Sequence, residues 1–257
     1  MNTDLKTWIF LRGLTRESRH WGDFIGQFQQ TLPDSQVITL DLPGNGSLNQ
    51  QRSPAHVQEM VAHCRAQLVL RHLEPPYHVL AMSLGAMVAV AWGLAHPQEV
   101  AAQVLINTSL RPFNPFYQRL QPKNYGTLLK LAFLGGTPDL WERTVLRMTS
   151  NRAPQDVLPL WQALRNENPV SRANALRQLV AAARFRAPTS PPLVPTLLLA
   201  SAHDHLVSVE CSTTLARQWH CVLCLHPSAG HDLPLDDGLW VAGQVREWLL
   251  KLTNKFS

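Results

Sequence analysis

Tyr77-His78-Val79-Leu80-Ala81-Met82-Ser83-Leu84-Gly85-Ala86-Met87 is an apolar run that passes into a helical pattern at a single serine. Ala81 and Gly85, both small, stand two positions to either side of it. A strand that turns directly into a helix reverses so tightly that larger side chains there would collide with neighbouring backbone. The spacing therefore predicts a strand, a sharp turn and a helix, with Ser83 at the apex. A serine so placed suits two roles, an exposed nucleophile or a buried N-cap of the helix.

Outward from this turn, short apolar runs alternate with amphipathic stretches through the first 110 residues, and the alternation returns after residue 193. This is the rhythm of a mainly parallel, doubly wound α/β sheet. Strands are expected at Trp8–Leu11, Val37–Leu42, His78–Met82, Gln103–Asn107, Thr196–Ala200 and Cys221–Leu225. Helices are expected at Ser18–Thr31, Pro54–Leu70, Leu84–Ala95, Val209–Trp219 and Leu239–Lys251. Between residues 111 and 190 the strand signal gives way to helical patterns bounded by Pro-containing segments, which predicts an inserted helical cap on a core formed by 1–110 and 191–257.

The chain has 257 residues, 45% hydrophobic and 16% charged, enough apolar material for a large core, which excludes a disordered or low-complexity protein. Four irregularly spaced Cys are too few to staple a chain this long, so a reducing compartment is expected. The first residues show no secretory pattern, and no run reaches the roughly 18 apolar residues of a membrane span. A soluble, cytoplasmic protein is the expectation. The net charge of +5 is uneven: residues 111–190 hold twelve basic and four acidic side chains, while the rest of the chain is slightly acidic. A local basic surface suits an anionic partner or substrate better than it suits general nucleic-acid binding.

The segment from Ala81 to Gly85 resembles the G-x-S-x-G nucleophile elbow of α/β-hydrolases, with Ala81 in the first glycine position. The resemblance implies that the chain order should be Ser, acid, His. Pro195 to Val207 is an apolar strand ending in a polar turn that carries Asp204, and Cys221 to Asp232 is a strand followed by a loop with Gly230-His231. Both resemble the places where this fold presents its acid and its histidine, giving a candidate catalytic triad of Ser83, Asp204 and His231. His203, His205 and His226 compete for the base but do not follow the Ala-Gly turn. Asp41-Leu42-Pro43-Gly44-Asn45-Gly46 also looks like a turn of this superfamily and is assigned a scaffold role.

The family pattern further implies an oxyanion hole from the backbone N–H groups of Leu84 and Leu14. The loop around Leu14 reads Arg12-Gly13-Leu14, where family members commonly begin with His, so Arg12 is a departure. Within the cap, Asp139 to Met148 sets Trp141, Val145 and Met148 on one apolar stripe, with Arg143 and Arg147 one turn apart on another face. Trp141 to Met148 looks like a helix of the pimeloyl-acyl-carrier-protein methyl ester esterases, whose arginines at the positions of Arg143 and Arg147 receive an acidic carrier beside an acyl channel. Met82 and Met148 are expected at the substrate. Against that likeness, Ala81 and Met82 replace the Gly and Trp of that family's elbow.

Cys221 and Cys224 have the spacing of a metal or redox pair, but no second pair completes a site, so core thiols are expected. Gly44-Asn45-Gly46 lacks the rest of a nucleotide fingerprint. Asp232, Asp236 and Asp237 read as a solvated loop and helix start. The expectation is a serine-dependent carboxylic-ester hydrolase without metal or organic cofactor, acting on a small ester. The alternatives are an acyl-carrier-protein or CoA-linked ester as substrate and, from another class, a non-catalytic binding protein on the same fold.

Overall fold

The computed structural model describes residues 5–134 and 136–253. Six strands, β1 (Lys6–Leu11), β2 (Ser35–Leu40), β3 (Tyr77–Met82), β4 (Val100–Ile106), β5 (Thr196–Ser201) and β6 (Val222–His226), form one parallel sheet in the order β2-β1-β3-β4-β5-β6. Alternation along the strands explains why both faces are covered. In β1, Ile9 and Leu11 pack on one side with α2 (Val57–Leu70), α3 (Leu84–Ala95) and α9 (Glu210–Trp219). Trp8 and Phe10 pack on the other side with α1 (Phe24–Thr31) and α10 (Leu233–Thr253). The fold class read from periodicity is the fold observed.

The expected boundaries shift where a local group competes with the pattern. The helix expected at Ser18–Thr31 is a 3₁₀ turn, Ser18–Trp21, and α1, separated at Gly22, whose φ is +49°. The second strand ends at Leu40 rather than Leu42, because Asp41 accepts hydrogen bonds from the Ser18 N–H and hydroxyl, 2.7 Å each. The last helix begins at Leu233, six residues before the start expected at Leu239, and kinks at Asp237.

Between β4 and β5 the described chain forms α4 (Phe116–Arg119), α5 (Tyr125–Leu134), α6 (Pro138–Thr149), α7 (Val157–Glu167) and α8 (Arg172–Arg184), and no strand. The Thr137 hydroxyl caps α6 and the Ser171 hydroxyl caps α8, each accepting an N–H from the first turn. Among the described residues, no helix is long and apolar enough to cross a membrane.

Candidate active site

Ser83 sits between the end of β3 and the start of α3 with φ +53° and ψ −114°, a conformation that a non-glycine residue adopts only under strain. Its neighbours explain why the chain tolerates this. A Cβ on Gly85 would stand 2.5 Å from the Leu11 carbonyl oxygen and 2.6 Å from that of Arg12, so only glycine lets α3 begin against the end of β1. The Ser83 N–H is held by the Ile106 carbonyl at 3.0 Å. Its Oγ hydrogen-bonds to no described residue and opens on a cavity of about 330 Å³.

Over this serine lies the loop that follows β1. The position of a Cβ on Gly13 is 3.2 Å from Ser83 Cβ, so the next residue, Leu14, is carried to the rim of the same cavity. Leu84 also lines it, and as the first residue of α3 its N–H has no acceptor within the helix. Leu14 and Leu84, the two residues named from the family pattern, thus line the same cavity as Ser83.

Asp204 and His231 come from the ends of β5 and β6 and meet in the interior. His231 Nδ1 and Asp204 Oδ2 are 2.7 Å apart, with side chains 3% and 2% exposed. The other carboxylate oxygen, Oδ1, accepts the N–H groups of Leu206 and Val207 at 2.7 and 3.0 Å. That leaves Oδ2 for the imidazole and fixes its direction. His231 lines the cavity together with Ser83. Two of the competing histidines are engaged elsewhere through their rings, and the third, His203, is exposed at the surface. His226 accepts the Ser228 and Ala229 N–H groups on Nδ1 and faces Asp237 through Nε2 at 3.2 Å, while His205 is 3.1 Å from Lys123 Nζ. His203 offers its carbonyl to Asn151.

The three aspartates read as solvated are structural, which corrects that expectation. Asp232 is 2% exposed and forms a two-pronged ion pair with Arg12, which is itself buried and stacked 4.7 Å over Trp21. Asp236 accepts the Gly230 and Asn151 N–H groups and the Ser150 hydroxyl, tying the end of α6 to the His231 loop. Asp237 pairs with His226 and receives the Trp240 N–H. Cys221, just before β6, and Cys224, within it, are half-buried and pack against the core, as β6 has a neighbour on one side only.

One residue escaped the sequence reading. Asn107, just past β4 with φ +44°, donates through Nδ2 to the His231 carbonyl at 2.7 Å and to Ser201 Oγ at 3.1 Å, and accepts the Ser201 N–H at 2.9 Å. It binds together the segments that carry the acid and the histidine. The available signal was a polar residue directly after the apolar Val104-Leu105-Ile106.

The far wall of the cavity is apolar and comes from α4 to α6 and α8, including Phe116, Leu128, Trp141, Val145 and Met148, with Met82 on the sheet side. The predicted stripe of α6 thus faces the cavity. Arg143 and Arg147 point out to solvent, Arg143 paired with Asp139 at 2.9 Å. α6 is also tied to the loop after β1 by Arg16, whose guanidinium meets the buried Glu142 at 2.6 Å.

Comparison with known proteins agrees with this architecture. Residues 8–244 match the sequence model of the Alpha/beta hydrolase family. A Yersinia enterocolitica protein bearing the name carbamate hydrolase RutD is 28% identical over 220 residues, 82% of this chain and 75% of that protein. The pimeloyl-acyl-carrier-protein methyl ester esterase of Chromobacterium violaceum is 34% identical over 92 residues, about a third of either chain (36% and 34%). The structure of a thermophilic esterase from Thermogutta terrifontis superposes with a TM-score of 0.72 at 19% identity, covering 96% of this chain and 90% of that one, a likeness of fold. The chain belongs to the alpha/beta hydrolase family.

Proposed function

We propose that the protein is a serine-dependent carboxylic-ester hydrolase working through an acyl-enzyme. The observation that carries the reading is the buried His231–Asp204 pair, 2.7 Å apart, opening on the cavity that Ser83 lines. Ser83 Oγ attacks the ester carbonyl while His231 Nε2 takes the hydroxyl proton, and Asp204 holds the imidazole in the tautomer that leaves Nε2 free to accept. The oxyanion meets the N–H groups of Leu84 and Leu14. His231 returns the proton to the departing alcohol, and a water deprotonated by the same imidazole releases the acid. Residues 111–190 act as a cap that closes the acyl pocket over a core of 1–110 and 191–257. Four free cysteines fit a reducing, cytoplasmic setting.

A fluorophosphonate tests the assignment. Mass spectrometry is expected to find the adduct on Ser83, and Ser83→Ala is expected to abolish turnover of a short nitrophenyl ester with circular dichroism unchanged. Asp204→Asn is expected to lower kcat by orders of magnitude. An adduct on another residue, or turnover by Ser83→Ala, would overturn the reading.

The basic cap supports a second reading, an ester carried by an acidic acyl carrier protein, in which Arg143 and Arg147 attract the carrier across solvent. Replacing both by Glu would then raise the apparent KM for the carrier-linked ester severalfold and more steeply at low salt. Equal response of a free short ester and the carrier-linked one would remove this reading.

A further inference from the structure

Three arginines, Arg12, Arg16 and Arg119, line the cavity, against a single acidic residue, Asp232. Two of the three are matched inside the protein. Arg12 commits both terminal nitrogens to Asp232, and Arg16 pairs with Glu142, which Arg165 also reaches at 3.1 Å. Arg119 is different. Its Nη2 donates to the Ala182 carbonyl at 2.9 Å, and no carboxylate among the described residues pairs with it. Its Nε is sealed from solvent without an acceptor, as are Arg12 Nε and Arg16 Nη2, but its Nη1 makes no hydrogen bond to any described residue and is not sealed.

The surroundings offer no counter-charge. The ionisable groups acting on Arg119 are Arg111, a second cation, and the Cys211 thiol, which burial pushes up to about 12 and so keeps neutral. Burial, the larger effect, weakens the hold of Arg119 on its own proton. Arg119 is partly buried, with a neutral carbonyl as its hydrogen-bond partner, and a ligand that brings the opposite charge offsets the cost of that burial where a neutral ligand does not. The rest of the wall beside it, Phe116, Leu120, Leu179 and Val207, accepts only apolar groups.

We infer that the cavity takes an ester bearing a second, free carboxylate, such as the half-ester of a short dicarboxylic acid, with Arg119 receiving that carboxylate while the ester carbonyl meets Ser83. The inference rests on the esterase reading above and adds the substrate class. Recognition is a charge-assisted hydrogen bond in a low-dielectric cavity, where such bonds are strongest. The one competing role for Arg119 is to tie α4 to the last turn of α8 through Ala182, and a purely structural tie acts on every substrate alike.

The test compares monomethyl adipate with methyl hexanoate, followed by methanol release. The wild-type enzyme is expected to favour the carboxylate-bearing ester by roughly tenfold or more in kcat/KM, chiefly through KM. Arg119→Gln is expected to bring the ratio to near one or below, and Arg119→Lys to an intermediate value that salt erodes. A wild-type ratio near one, or a ratio unchanged in the variants, would overturn the inference. Where Arg119→Gln does not fold, the ratio in Arg119→Lys decides in the same way. Calorimetric titration of both esters into Ser83→Ala reads the inference apart from the chemistry. A preference for monomethyl adipate there, lost in Ser83→Ala/Arg119→Gln, supports it even if the wild type hydrolyses neither ester, and equal binding of the two overturns it.

Discussion

Arg12 and Asp232 meet through two hydrogen bonds, 3.0 and 2.5 Å long, and thereby join the loop over Ser83 to the residue that follows His231. Both side chains are buried, so each is the counter-charge that makes the other tolerable. The pair fixes the two loops relative to each other where family members commonly have a histidine in the first of them.

Removing one partner leaves an unpaired buried charge. Arg12→Met or Asp232→Asn is therefore expected to cost about 3–5 kcal/mol in urea denaturation. The double variant Arg12→Met/Asp232→Leu is expected to recover a large part of it. A simple sum of two single losses in the double variant would show that the pair does not act as a unit.

Asn107→Ala removes the donor to the His231 carbonyl and the acceptor of the Ser201 N–H. The expected outcome is a loss of about 1–3 kcal/mol in stability, from groups left unpaired, and a fall in kcat larger than any change in KM. Asn107→Asp is expected to be worse, because it sets a carboxylate against carbonyl oxygens. Wild-type kcat in Asn107→Ala would remove Asn107 from the positioning of His231.

Glycines in two helices are expected to answer in opposite directions. In Gly85→Ala the new methyl group meets the backbone carbonyl oxygens of Leu11, at the end of β1, and Arg12, just after it, which cannot move aside, so a loss of about 2 kcal/mol or more is expected together with activity. A Cβ at Gly243, within α10, meets nothing inside 4 Å, and Gly243→Ala is expected to gain up to about 1 kcal/mol. Thermal melts of the two variants check both signs.

Stability is expected to fall as acid is added well before carboxylates protonate. Burial, aided by Lys6, lowers the His78 pKa to about 4, and burial followed by the Arg16 charge lowers that of His20 well below 6.5. Both stay neutral in the folded chain while the unfolded chain takes up their protons. Stability is then full above pH ~6.5 and declines toward pH 4, by about 1.4 kcal/mol per pH unit for each histidine. His63, lowered by burial as well, adds to the same slope, so His78→Leu is expected to flatten it between pH 6.5 and 5 by up to about 1.4 kcal/mol per pH unit, and denaturation midpoints across that range measure it. A slope equal to wild type would clear His78 of the effect.

How much was legible in the chain itself can be seen at particular residues. The alternation of Trp8-Ile9-Phe10-Leu11 between two sides, and the small residues around Ser83, determined a sheet covered on both faces and a sharp turn at its centre, because side-chain direction and local crowding depend on near neighbours alone. Asp204 and Gly230-His231 were readable as strand-end signals in a required order. What the tertiary structure decided was partnership. Asp232 looks the same in sequence whether it meets water or Arg12, 220 positions away, and Asn107 shows no sign of the two segments it joins. The charge count located an excess of arginine in residues 111–190 but gave no means of telling Arg143, paired on the surface, from Arg119, unpaired beside the cavity. Burial and pairing are properties of groups brought together from distant parts of the chain, and those distances exist only once the sheet has formed.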